Sequence, residues 1–178
     1  HPVVLAMIAA AGLSVKPSKI KCEKLEAKSR HYLQRMGLFK AIGMKSSMAI
    51  VEHESAGRFI PLTRITNSQE LTRCITNMIP LLHLESRQAD SIKYVLSELV
   101  RNVLEHAQSE KGAMVAAQYY KKSNTIRIGI VDTGVGIKKT INNAYPAKTH
   151  LAAIQLALTP GVTGTTQKIG GTEYNAGA

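Results

Sequence analysis

Between Ile92 and Ala107, apolar or small residues fall at positions 92, 95, 96, 99, 100, 103, 104 and 107, the i, i+3, i+4, i+7 series of one helix face. A strand cannot use that pattern, because its side chains change face at every residue. The spacing predicts a helix from about Arg87 to Gln108 with one buried face. At about 100° per residue, Glu98, Asn102 and His106 trace a line flanking that face, and Lys93, Ser97 and Arg101 lie further out. The three residues belong at the rim of a core, where a cleft would open. A carboxylate there is either a solvated boundary group or, partly desolvated, a base that orients and deprotonates water. The oxygen of a neighbouring Asn is a hard neutral ligand suited to Mg²⁺.

A second pattern follows. AMVAAQYY and TIRIGIVD have strand composition and flank KKSN, which predicts a hairpin. Ile126, Ile128 and Ile130 share one face of the second strand, and Asp132 is in phase with them. An acid is thus aimed at the core side, to be satisfied either by backbone amides in a tight turn or by a donor on a ligand. Gly134 and Gly136, next in DTGVGI, would let a planar ligand approach the backbone. The stretch is neither the dinucleotide fingerprint nor a P-loop.

The remaining elements are read from shorter signals. Val3 to Ala11 is apolar or small and stops at Gly12, which predicts a short buried helix. SKIKCEKLE alternates Ile20, Cys22 and Leu25 with lysines, the pattern of a half-buried strand. A helix follows with Tyr32, Leu33, Met36 and Leu38 as its stripe and Gly37 as its stop. Residues 1–45 are therefore expected to form a small α/β module. MAIVEH and RFIPLTRI are expected to be extended, with Pro61 favouring a sheet edge. Asn67 with Glu70 opens a further helix that carries Leu71, Ile75, Met78 and Leu82, and THLAAIQLAL is a short helical pattern. The tail from Thr159 to Ala178 has five Gly, five Thr and no apolar period, and is expected to be a mobile loop.

The net charge of +11 favours an anionic partner: a nucleotide, a nucleic acid or an acidic protein. With no Trp, two Phe and no Lys/Arg run of five, the composition does not advertise a platform for stacking single strands. Cys22 and Cys74 form no metal pattern and are expected to be reduced, partly buried thiols. The opening HPVVLAMIAAAGL is too short to cross a bilayer and lacks the marks of a signal peptide, so a cytoplasmic chain without membrane contact is expected. The absence of an initiating Met makes a segment of a longer protein the expectation.

ELVRNVLEHA, then VDTGVGI, then a Gly/Thr-rich stretch ending in NAGA resembles the Bergerat-fold ATP-binding domain of the GHKL superfamily, over about residues 58–178. The ExxxNxxxHA spacing is most similar to the anti-sigma-factor serine kinases of that superfamily, and no two-helix phosphoacceptor segment of a histidine kinase precedes it. The resemblance implies an α+β class, a two-layer α/β sandwich over residues 46–178 that is truncated at its C-terminus. It implies Mg-ATP as cofactor, with hydrolysis or phosphoryl transfer in signalling. Glu98 would activate the attacking water or hydroxyl, Asn102 would hold Mg²⁺, His106 would line the phosphates, and Asp132 would accept the adenine amino group, with Gly134 and Gly136 shaping the pocket. The loop to Gly177 would be a lid, in which Thr163, Thr165, Thr166 and Lys168 donate to phosphate oxygens. The first 45 residues resemble STAS-like modules in the order of their elements and would engage a protein partner. The alternative is a non-catalytic module that binds nucleic acid or an acidic protein through its basic surface.

Overall fold

The computed structural model describes residues 1–44, 59–79, 85–162, 166–169 and 172–175, the last two segments by their backbone alone. Helix α1 (Pro2–Gly12) has no polar residue, and α2 (Ala27–Arg35) turns into the short α3 (Leu38–Ala41). Strand β1 (Phe59–Ile65) leads to α4 (Ser68–Met78) and α5 (Ser86–His106). The hairpin of β2 (Ala113–Tyr120) and β3 (Thr125–Asp132) follows, then α6 (Ile137–Ile141) and α7 (His150–Ala157). The chain ends with β4 (Thr166–Ile169) and β5 (Thr172–Asn175).

The class is α+β. An antiparallel sheet in the order β1-β2-β3 forms its centre. Pro61 sits in edge strand β1, where a missing N–H costs no ladder bond, and a bulge falls between Ile60 and Thr63. At the bulge the Leu62 amide leaves the sheet and donates to Met36 O at 2.8 Å, tying β1 to the end of α2.

Alternation along β2 divides the core. Ala113, Val115 and Ala117 face Leu71 and Met78 of α4 and Leu96, Val100 and Val103 of α5. Met114 and Ala116 face Leu5, Ala6, Ala9 and Ala10 of α1, with Met36 and Leu38 beside them. Helices thus cover both faces of the sheet, where a two-layer sandwich leaves one face bare. Gly129 makes this possible: a Cβ there would lie 2.6 Å from Val3 Cα, so only glycine lets α1 lie on β3.

The sequence expectations are corrected at several points. Residues 20–25 are not a strand, and residues 17–19 form a single 3₁₀ turn, because nothing pairs with Ile20, Cys22 and Leu25 to make a ladder. Residues 1–44 contain helices and no strand, and they share their apolar cluster with the sheet. Cys22 is exposed rather than partly buried, whereas burial pushes the Cys74 thiol up to about 11. The tail contains β4 and β5 paired antiparallel, so it is not the continuous loop expected. The segment MAIVEH and Leu82 lie outside the described residues.

Candidate functional site

Helix α5 is fixed at its start by a reciprocal cap between Glu85 and Gln88. Leu96, Val100 and Val103 are its large buried side chains, and burial of each contributes about 1.5–3 kcal/mol relative to exposure. The buried face is narrower than the spacing suggested. Val95 is 51% and Leu99 48% exposed, so full burial within the apolar stripe is confined to the line of Leu96, Val100 and Val103.

On this helix Glu98 and His106 are half-buried and Asn102 is exposed, which is the rim position read from the sequence. Glu98 Oε1 accepts from Arg101 Nη1 at 3.4 Å, and Arg101 Nε lies 3.9 Å from Glu105. Such pairs one turn apart on an open helix contribute little stability, but they hold the Glu98 carboxylate at the helix edge. The i, i+3 spacing in ELVR was the available signal for Arg101, which the candidate set omitted.

Asp132 ends β3. It is exposed rather than aimed into the core, which corrects the buried acid expected from its phase. Its Oδ1 accepts from Gly134 N at 2.8 Å, so a tight turn satisfies one oxygen of an exposed carboxylate. A cleft beside it, lined by Ala10, Leu13, Lys111 and Thr133, is too narrow to admit water. An open groove lined by Ser68, Gln69, Thr72, Arg73, Thr76 and Asn77 runs along α4, and no candidate residue borders it.

The turn after Asp132 meets the end of α5. Val135 N donates to Ala107 O at 2.8 Å, and the Thr140 hydroxyl of α6 donates to His106 O at 3.2 Å. A Cβ on Gly134 would overlap the Ala107 carbonyl, so glycine is required for this approach. Gly136 has φ of 80°, the left-handed side that favours glycine, and leads directly into α6. The two motifs, 26 residues apart from His106 to Asp132, are therefore joined by one backbone and one side-chain hydrogen bond at one end of the sheet. Thr140 was missed from the sequence because α6 is too short to show a period; Ile137 and Ile141, four apart, were its only trace.

Thr163, Thr165 and Gly177 lie outside the described residues, and Thr166 and Lys168 are placed on β4 by their backbone. Among the described residues no three His, Cys, Asp or Glu side chains converge to hold a metal ion. The Asn102 amide oxygen is a hard donor, of the kind that suits Mg²⁺ taking its other ligands from phosphate and water. Among the described residues no helix is long and apolar enough to cross a membrane. No protein-family model, curated protein or solved structure matches the chain.

Proposed function

We propose that the chain is an ATP-binding module of the histidine-kinase-like, Bergerat type, which binds Mg-ATP and hydrolyses it or transfers its phosphoryl group. The observation that carries this reading is the joining of the Asp132–Gly136 turn to the end of the Glu98–Asn102–His106 helix through Val135 and Ala107. The antiparallel sheet with α4 and α5 across one face agrees with that fold; α1 on the other face is an addition to it.

In this reading the free oxygen of Asp132 accepts the adenine amino group, and Gly134 and Gly136 leave room for the ring. Glu98 takes a proton from the attacking water or hydroxyl, and Asn102 orients the ion. Mg²⁺, when bound, neutralises charge on the phosphate oxygens. His106 borders the phosphates, and Thr163, Thr165, Thr166 and Lys168 donate to them. The outer face of α1, with Val4, Met7 and Ile8 exposed, is where a protein partner would sense the nucleotide.

Isothermal titration tests the assignment. The chain is expected to bind ATP saturably and more tightly with Mg²⁺. Asp132→Asn presents a donor in place of an acceptor, at a cost of about 1–3 kcal/mol, or roughly 5- to 150-fold in affinity. Absence of binding, or equal affinity in the variant, would overturn the reading.

A further inference from the structure

Residues 27–51 and 111–131 contain no Asp or Glu, although the chain has twelve. The fold brings α2 and the turn of the β2–β3 hairpin together at the end of the sheet remote from Asp132. Tyr32 of α2 donates its hydroxyl to Gln118 Oε1 at 2.9 Å. Gln118 pairs in register with Phe59 on one side and Arg127 on the other. The Arg127 guanidinium lies 5.0 Å from the centre of the Tyr120 ring, and that of Arg35 lies 4.7 Å from the centre of Phe59. Burial first and Tyr120 second push the Tyr32 phenol upward. Arg35, Arg127, Lys121 and Lys122 are exposed. The ion pairs found among the described residues all lie on α5, so among those residues no carboxylate pairs with this group.

A cluster of lysines alone would suit any polyanion. Here two guanidinium planes lie on aromatic rings, and nucleobases stack on such planes. An acidic peptide would make no use of them, and a duplex keeps its base faces covered. We propose that this end of the sheet, around Arg35, Tyr120 and Arg127, binds single-stranded nucleic acid, with bases stacked on the guanidinium–aromatic pairs and phosphates held by Lys121 and Lys122. The aromatic and basic residues are scattered in sequence and gathered by the β2–β3 hairpin and α2. The surface is separate from the Asp132 turn, since Arg127 lies five residues along β3 from Asp132, roughly 17 Å at about 3.4 Å per residue.

Fluorescence anisotropy with a labelled mixed-sequence oligonucleotide of about sixteen bases, titrated at several salt concentrations, tests the proposal. Wild type is expected to bind saturably. Arg127→Gln combined with Lys122→Gln should weaken binding at least about tenfold and lower the salt slope by about 1.4, two contacts at about 0.7 each. The same charge change on the opposite sheet face, Arg73→Gln with Arg87→Gln, should alter affinity by less than about twofold. Arg127→Lys keeps the charge and removes the plane, and should weaken binding by at least about threefold. Lys122→Gln alone, in an exposed turn, repeats the test if the Arg127 variants do not fold. No binding by wild type, equal losses from the two variant pairs, or unchanged affinity in Arg127→Lys would overturn the proposal. So would equal affinity for the duplex, which removes the need for stacking, or displacement by poly-glutamate at equal charge, which points to an acidic peptide.

Discussion

Glu98 reaches Arg101 at 3.4 Å with its side chain 32% exposed. A carboxylate in that position can serve as a base, or it can be an ordinary partner in a weak surface pair. Substitution separates the roles. Glu98→Ala is expected to leave ATP affinity within about twofold while slowing hydrolysis by about 10² or more, because it removes a proton acceptor and no ground-state contact. Equal turnover in wild type and variant, followed by phosphate release, would reduce Glu98 to a helix-edge residue. Its fold role is too small to confuse the result, since an exposed pair one turn apart contributes only about 0.2–1 kcal/mol.

At the scale of elements, α4 shows how a local signal becomes structure. The Asn67 side chain accepts from Glu70 N at 2.9 Å, and the Glu70 carboxylate accepts from the Thr66 amide at 2.7 Å and the Thr66 hydroxyl at 2.8 Å. The Thr66 backbone bond first, then its hydroxyl, holds the Glu70 carboxyl below the usual range. A depressed folded-state pKa stabilises the protein above the unfolded value, and that stability is lost as pH falls through the folded value. Urea denaturation of wild type and Glu70→Gln should therefore show wild type the more stable at neutral pH and the two converging in acid. A gap that persists with Glu70 protonated would assign the effect to packing instead. Such caps are legible because the residues that make them are neighbours in sequence, as are the alternating residues of β2 and β3. Residues 20–25 misled because alternation describes a strand only when another strand accepts its hydrogen bonds. The β4–β5 pair had the opposite history: its apolar content is low, and the Gly170-Gly171 dipeptide between Ile169 and Thr172 was the hairpin signal passed over. For the candidate site, the helix line of Glu98, Asn102 and His106 was readable, but the exposure of Asp132 was not. Phase fixes the face of a strand and not where its covering helix ends.

In the molecule as a whole, β2 joins the two halves of the core. Five successive residues, Ala113 to Ala117, are buried, with alternate side chains against α5 and α1, so each layer packs on the same backbone. Lys111 adds a polar tie, its Nζ donating to Leu13 O at 2.6 Å and Ser14 Oγ at 3.0 Å beyond the end of α1. Loosening α1 should therefore be felt through the sheet by α4 and α5. Gly129→Ala tests this without removing any contact on the α5 side. Its added Cβ would meet Val3 Cα at 2.6 Å and Val3 N at 2.7 Å, backbone atoms that yield only if the helix moves. Overpacking of this kind costs about 1–3 kcal/mol, and at about 2–4 °C per kcal/mol for a chain of this size the melting temperature should fall by several degrees. Far-UV circular dichroism and the accessibility of Cys74, which faces the α5 side of the core, should report one shared transition. Melting of α1 at a lower temperature while Cys74 stays protected would mean that the N-terminal helices form a unit of their own, and that β2 packs on them without making the two layers cooperative.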